Sequence, residues 1–122
     1  MAFKLGNEKR HFKHSGNVKL VQAPLDKGTI AEARNDGTIV VNPNVKPDSK
    51  LMKRVIKHEM KHMQDMEDGR AAYGDNWLMW EGKIYFRREI DGTAVIDGPN
   101  GRWPEGHPNH PWEAEAIAAE KE

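Results

Sequence analysis

The stretch SKLMKRVIKHEMKHMQDMEDG, running from Ser49 to Gly69, decides how the rest of this chain is read. Its period is helical. At about 100° per residue, Leu51, Met52, Val55, Ile56, Met63 and Met66 fall on one arc, and Lys50, Lys53, Arg54, Lys57, Lys61 and Gln64 on the other. Asp48 or Ser49 can cap its start and Gly69 its end. Inside it stands His58-Glu59-Met60-Lys61-His62, an HExxH pattern. Residues four apart lie one above the other on a helix, so both imidazoles can converge on a single zinc ion. Glu59 falls in the middle of the apolar arc, with the two histidines at its edge. A carboxylate facing a core is costly unless it is paired or does chemistry. That placement favours Glu59 as a base taking a proton from a water activated by the ion. A helix with two surface histidines and a snorkelling glutamate would put Glu59 elsewhere.

Composition limits what can surround this helix. The chain has 122 residues, enough for one domain with a modest core. Lys plus Arg and Asp plus Glu are 19 each, so no net charge points to nucleic acid or an anionic membrane. Cysteine is absent, which excludes a disulfide framework and a zinc ribbon and leaves His, Asp and Glu as the metal ligands. The opening MAFKLGNEKRHFKH lacks an apolar core of the secretory kind, and no apolar run approaches the ~20 residues that span a bilayer. A cytoplasmic or particle-associated protein is expected.

Outward from the helix, residues 1–16 are basic and poorly patterned and are expected to be flexible, with His11 and His14 as tail residues rather than ligands. Residues 17–122 then form a single domain. Val18–Ala23 alternates as a strand. Residues 28–34 and Thr38–Asn42 flank Asn35-Asp36-Gly37, a tight hairpin turn. Beyond the helix, WLMWEGKIYFRRE reads as a second hairpin about Glu81-Gly82, followed by a loop-rich stretch around a short TAVI strand. WEAEAIAAEKE closes the chain as a helix, with Pro111 suited to its first turn. It is expected to dock through Trp112, Ala116, Ile117 and Ala119. The order predicts an α+β fold: a small antiparallel sheet packed on the HExxH helix, a second hairpin and a C-terminal helix.

Two histidines leave a zinc site incomplete, since a catalytic site takes three protein ligands and keeps one position open. Asp68 stands where an HExxHxxGxxH/D continuation would place a ligand, but Asp65 replaces the turning glycine. On a continuing helix Asp68 points about 120° away from His62. His107 and His110 lie in a Pro-rich loop that could fold back. Glu113 or Glu115 on the closing helix is the favoured source; two apart, only one of them can face the ion. The other, or Asp65, could hold a ligand imidazole from outside, although Asp65 suits Lys61 as an i,i+4 partner equally well.

HEMKH followed by Trp112-Glu113-Ala114-Glu115-Ala116 on a later helix resembles the gluzincin-type zinc metallopeptidases, and in kind the minimal zincin-like proteins of phages and bacteria. The resemblance covers those two helices and the general order of elements. It implies His58 and His62 as ligands, Glu59 as the catalytic base, Glu113 as third ligand with Glu115 as its alternative, and Ala116 for close helix packing. Where such families carry an acidic or aromatic residue after that alanine, this chain has Ile117, so no partner for a ligand imidazole comes with the likeness. Tyr73, Tyr85 and His107 are the candidates for the oxyanion. The expected activity is zinc-dependent peptide-bond hydrolysis on a peptide or protein substrate, whose backbone would pair along Thr38–Asn42 as an edge strand. The rival is a catalytically inert structural or binding protein with zinc as a staple and protein assembly partners, such as a virion component. A nucleic-acid-binding role using the basic helix face is the weakest reading.

Overall fold

The computed structural model describes residues 2–4, 18–26 and 28–121. In chain order these contain β1 (Ala2–Lys4), β2 (Lys19–Gln22), β3 (Ala31–Arg34), β4 (Thr38–Val41), α1 (Lys50–Glu67), β5 (Ala71–Tyr73), β6 (Trp77–Trp80), β7 (Lys83–Ile90), β8 (Thr93–Gly98), β9 (Gly101–Pro104) and α2 (Pro111–Ala119). The fold is α+β, with two sheets and two helices. The basic segment expected to be flexible lies, apart from Ala2–Lys4, outside the described residues, as do His11 and His14.

The first sheet has the order β1-β3-β4-β2. It is mixed rather than antiparallel. β3 and β4 form the expected hairpin, closed by Gly37 donating to the Arg34 carbonyl at 3.1 Å, but β2 runs parallel to β4 and β1 parallel to β3. The segment between β2 and β3 is long enough to carry the chain across, so β2 pairs with β4 and not with its neighbour in sequence. This overturns Thr38–Asn42 as an edge strand. β4 has a partner on each side, and Ile39, Val40 and Val41 are all buried, as a continuous apolar run in a covered strand should be. The outer position on that side belongs to β2, whose four residues are all exposed.

Ser49 starts α1 by accepting the Met52 N–H at 3.0 Å and donating its hydroxyl to the Lys46 carbonyl at 2.6 Å. Gly69 ends it. With φ at 73°, Gly69 donates to the Met66 carbonyl and Arg70 to that of Asp65, which is a Schellman closure. The helix lies on β3, β4 and β5, where Ala31 and Ala33, both fully buried, let it come close. Met52, Val55, Met63 and Met66 enter the core as the wheel predicts, whereas Leu51 is 40% exposed.

The second sheet is an antiparallel meander, β5-β6-β7-β8-β9. Its expected hairpin is β6–β7, and Glu81-Gly82 and Asp91-Gly92 both take positive φ at both central positions, as two-residue turns between right-twisted strands require. β5 adds a strand ahead of that hairpin, and β9 is a strand inside the stretch expected to be loop-rich. One is three residues with two alanines; the other carries Gly and Pro, tolerated because β9 sits at the sheet margin. α2 begins with Pro111 after His110 and packs against α1. Trp112 anchors it, 1% exposed, with ring centroids 4.7 Å from His110, 5.9 Å from Trp80 and 6.0 Å from Tyr85. Ala116 is fully buried.

Candidate metal centre

Packing α2 against α1 brings Glu113 to the two histidines of the helical motif. His58 and His62, one turn apart, set their rings edge to face with centroids 4.9 Å apart. Glu113 Oε1 lies 2.9 Å from His58 Nε2 and 3.3 Å from His62 Nε2, and its Oε2 lies 3.2 Å from His62 Nε2. One ligand atom from each of the three residues falls within 4.8 Å of the others. The group is therefore close enough to hold one metal ion, with two imidazoles and a carboxylate as its donors. Ala116, one turn after Trp112, keeps the two helices near enough for a glutamate to span the gap.

The electrostatics separate the two central carboxylates. Burial alone would raise the Glu113 carboxyl, but the charge of His62 and hydrogen bonding to both imidazoles outweigh it and hold it at about 2. Glu59 is pushed well above the usual carboxylate range, first by burial and then by the charge of Glu113. It is 0% exposed, and among the described residues neither of its oxygens has a hydrogen-bond partner. A polar group so placed costs on the order of 1–3 kcal/mol in a folded chain. That orphaned carboxyl beside a ready donor set fits a centre meant to contain an ion and a polar molecule.

The other candidates lie elsewhere. Glu115 does not face the histidines; it grips Arg70 with two bonds of 2.6 and 2.8 Å and approaches Lys61 at 3.5 Å, which removes it as a third ligand. Two residues apart on a helix means nearly opposite directions, so one packing decides between them. Asp65 is buried, and its described partners are Lys61 at 2.7 Å and Arg70 at 3.6 Å, so it takes the ion-pair role and not the support of an imidazole. Asp68 caps the C-terminus of α1 and accepts from Gln64. His107 stacks on Trp103, and His110 on Trp112 with its Nε2 at the Trp103 carbonyl. Neither belongs to the metal-binding group. The Tyr73 hydroxyl donates to the Ala33 carbonyl, and Tyr85 packs on Trp112. Tyr85 also lines a cavity of about 320 Å³ with Trp80, Pro99 and Pro111, and none of His58, Glu59, His62 or Glu113 opens into it.

Two contributors escape a reading by motif. Arg70, swung back by the Schellman turn, sits over Trp80 at 4.4 Å and ties α1 to α2 through Glu115. Glu120 reaches His58 Nδ1 at 2.7 Å. It lies seven residues beyond Glu113, two turns along the same helix face, and that spacing was the available signal.

Comparison with protein-family models, with curated proteins and with solved structures finds no match for this chain.

Proposed function

We propose that His58, His62 and Glu113 hold a zinc ion and that the protein hydrolyses peptide bonds, with Glu59 as general base. The observation that carries this reading is Glu59: a fully buried carboxyl without a hydrogen-bond partner among the described residues, one position from a ligand histidine, is needed by a hydrolase and has no use in an inert site. Two imidazoles and one carboxylate, without thiolates, favour zinc among the transition metals.

When bound, zinc supplies Lewis-acid chemistry, polarising a carbonyl and lowering the pKa of a water toward neutrality. The chain's own residues do the rest. Glu59 accepts a proton from the water that attacks the peptide carbonyl and returns it to the departing amine. Its pKa, raised in the metal-free protein, is lowered when a cation is bound beside it, which favours the ionised base. Glu113, ionised even in the buried site, contributes the negative charge that offsets the ion. Trp112 and Ala116 hold α2 in register with α1 so that these groups meet.

A second reading has its own observation. His58, Glu59, His62 and Glu113 are all at most 2% exposed, which suits a zinc staple between two helices of a small domain. Metal content and turnover separate the two. Purified without added metal, wild type is expected to carry about one zinc per chain, His58→Ala none, and Glu113→Gln less than wild type. Glu59→Gln is expected to keep its zinc while losing about 10²–10⁴-fold in the cleavage of an unstructured protein substrate. Equal melting temperatures and equal, undetectable turnover in zinc-loaded wild type and Glu59→Gln would leave only the staple.

A further inference from the structure

We infer that Glu120 is a positioning residue for the metal centre: its carboxylate holds the Nδ1–H of His58, so that Nε2 is the atom His58 presents to an ion. This rests on the metal reading above and assigns to α2 a second task in the same site.

The geometry is specific. Glu120 Oε2 lies 2.7 Å from His58 Nδ1, while His58 Nε2 lies 2.9 Å from Glu113 Oε1. Both nitrogens of the ring are thus held by carboxylates of one helix, 55 and 62 residues away in the chain. Glu120 sets a carboxylate oxygen against Nδ1, the acceptor that an N–H at this position of the ring requires. With that proton fixed, Nε2 is the nitrogen free to exchange a proton for a metal, and the ring plane is set before any ion arrives. His58 is 2% exposed and the Glu120 side chain 17%, so water competes little for the bond.

Nothing in α2 itself favours Glu120 where it stands. It is the C-cap of α2, where a carboxylate opposes the helix macrodipole, and the last turn of α2 contains no basic residue to offset it. Ile117, one turn after Glu113, is aliphatic and cannot accept a hydrogen bond. α2 instead supplies the acceptor one turn later, on the same face as Glu113.

The test combines zinc affinity, measured by competition with a chromophoric chelator, and proton–nitrogen NMR of protein labelled with ¹⁵N-histidine. Wild type, Glu120→Ala and Glu120→Gln are compared. In metal-free wild type, His58 is expected to show a slowly exchanging Nδ1–H resonance. Glu120→Ala loses that resonance, and its zinc Kd rises about 10–100-fold. Glu120→Gln keeps an acceptor oxygen and recovers part of both, so the comparison holds even if the alanine variant folds poorly. Unchanged melting of the metal-free variants marks the effect as positioning rather than loss of structure. Wild-type zinc affinity in Glu120→Ala, or an unaltered Nδ1–H signal, overturns the role of Glu120 alone. No zinc uptake by wild type overturns the metal reading and takes this role with it.

Discussion

Glu59 and Glu113 are two buried carboxyls in one site, pushed in opposite directions by their surroundings. Two imidazoles face Glu113, whereas Glu59 is acted on chiefly by burial and then by the charge of Glu113. The consequence for stability has a definite sign. In metal-free protein the folded-state pKa of Glu59 lies well above its ordinary value of 4.5, so above about pH 4.5 the unfolded chain releases a proton that the folded chain keeps. Glu59 thus costs stability as pH rises through that window. Glutamine does not titrate. The melting temperature of metal-free Glu59→Gln should therefore match wild type below about pH 4.5 and exceed it as pH rises above that value, by calorimetry after chelation. Glu113 works the other way, its stabilisation present above about 4.5 and lost as pH falls toward about 2, but it is common to both proteins and cancels in the difference. A variant stability gap that stays flat with pH would mean Glu59 is ionised in the folded chain. Glu115 offers the control: Glu115→Gln should leave zinc content unchanged and cost under about 1 kcal/mol, since its bond to Arg70 is partly solvated.

α1 could be read almost completely from its residues, because its period, its Ser49 cap and its Gly69 stop are local facts. The wheel misplaces a margin, Leu51, which comes out exposed; Asp65 is buried, where an ion pair with Lys61 and Arg70 lets a charged residue sit inward. Gly69 carries a testable share of this. A Cβ there meets nothing within 4 Å, so the cost of Gly69→Ala is backbone strain alone at φ of 73°, about 1–2 kcal/mol in chemical denaturation. α2 is a different case. Nine residues are too few to be stable alone, so its existence depends on docking. Trp112→Ala should remove about 3–5 kcal/mol and, because α2 then no longer holds Glu113, lower zinc content with it.

Across the whole molecule, the centre ties residues that are 55 apart in sequence and belong to the two helices. Any ion bound there links them only in the folded state, so zinc should raise the melting temperature in a concentration-dependent way and a strong chelator should reverse it. A melting temperature indifferent to zinc would argue that the three donors do not act together. The first sheet sets a further limit. Because β4 is interior, Val40→Pro should break the ladder on which α1 rests and abolish cooperative folding, seen by circular dichroism, rather than remove cleavage from an intact fold. Among the described residues no helix is long and apolar enough to cross a membrane.

The residues alone account for the pieces whose cause is local: the period that makes α1, the one-turn spacing that stacks His58 over His62, Pro111 at the head of α2, and the Glu81-Gly82 turn. They also confine the candidate third donor to a short choice. It is the packing of distant elements that turns Glu113 rather than Glu115 to the histidines, puts β4 inside its sheet and brings Glu120 to His58. Those outcomes depend on which face of one element meets which face of another. A helical period states what lies together on a face, but the rotation that turns one face inward is set by packing of Trp112 and Ala116 against the rest of the chain, and no local spacing records it.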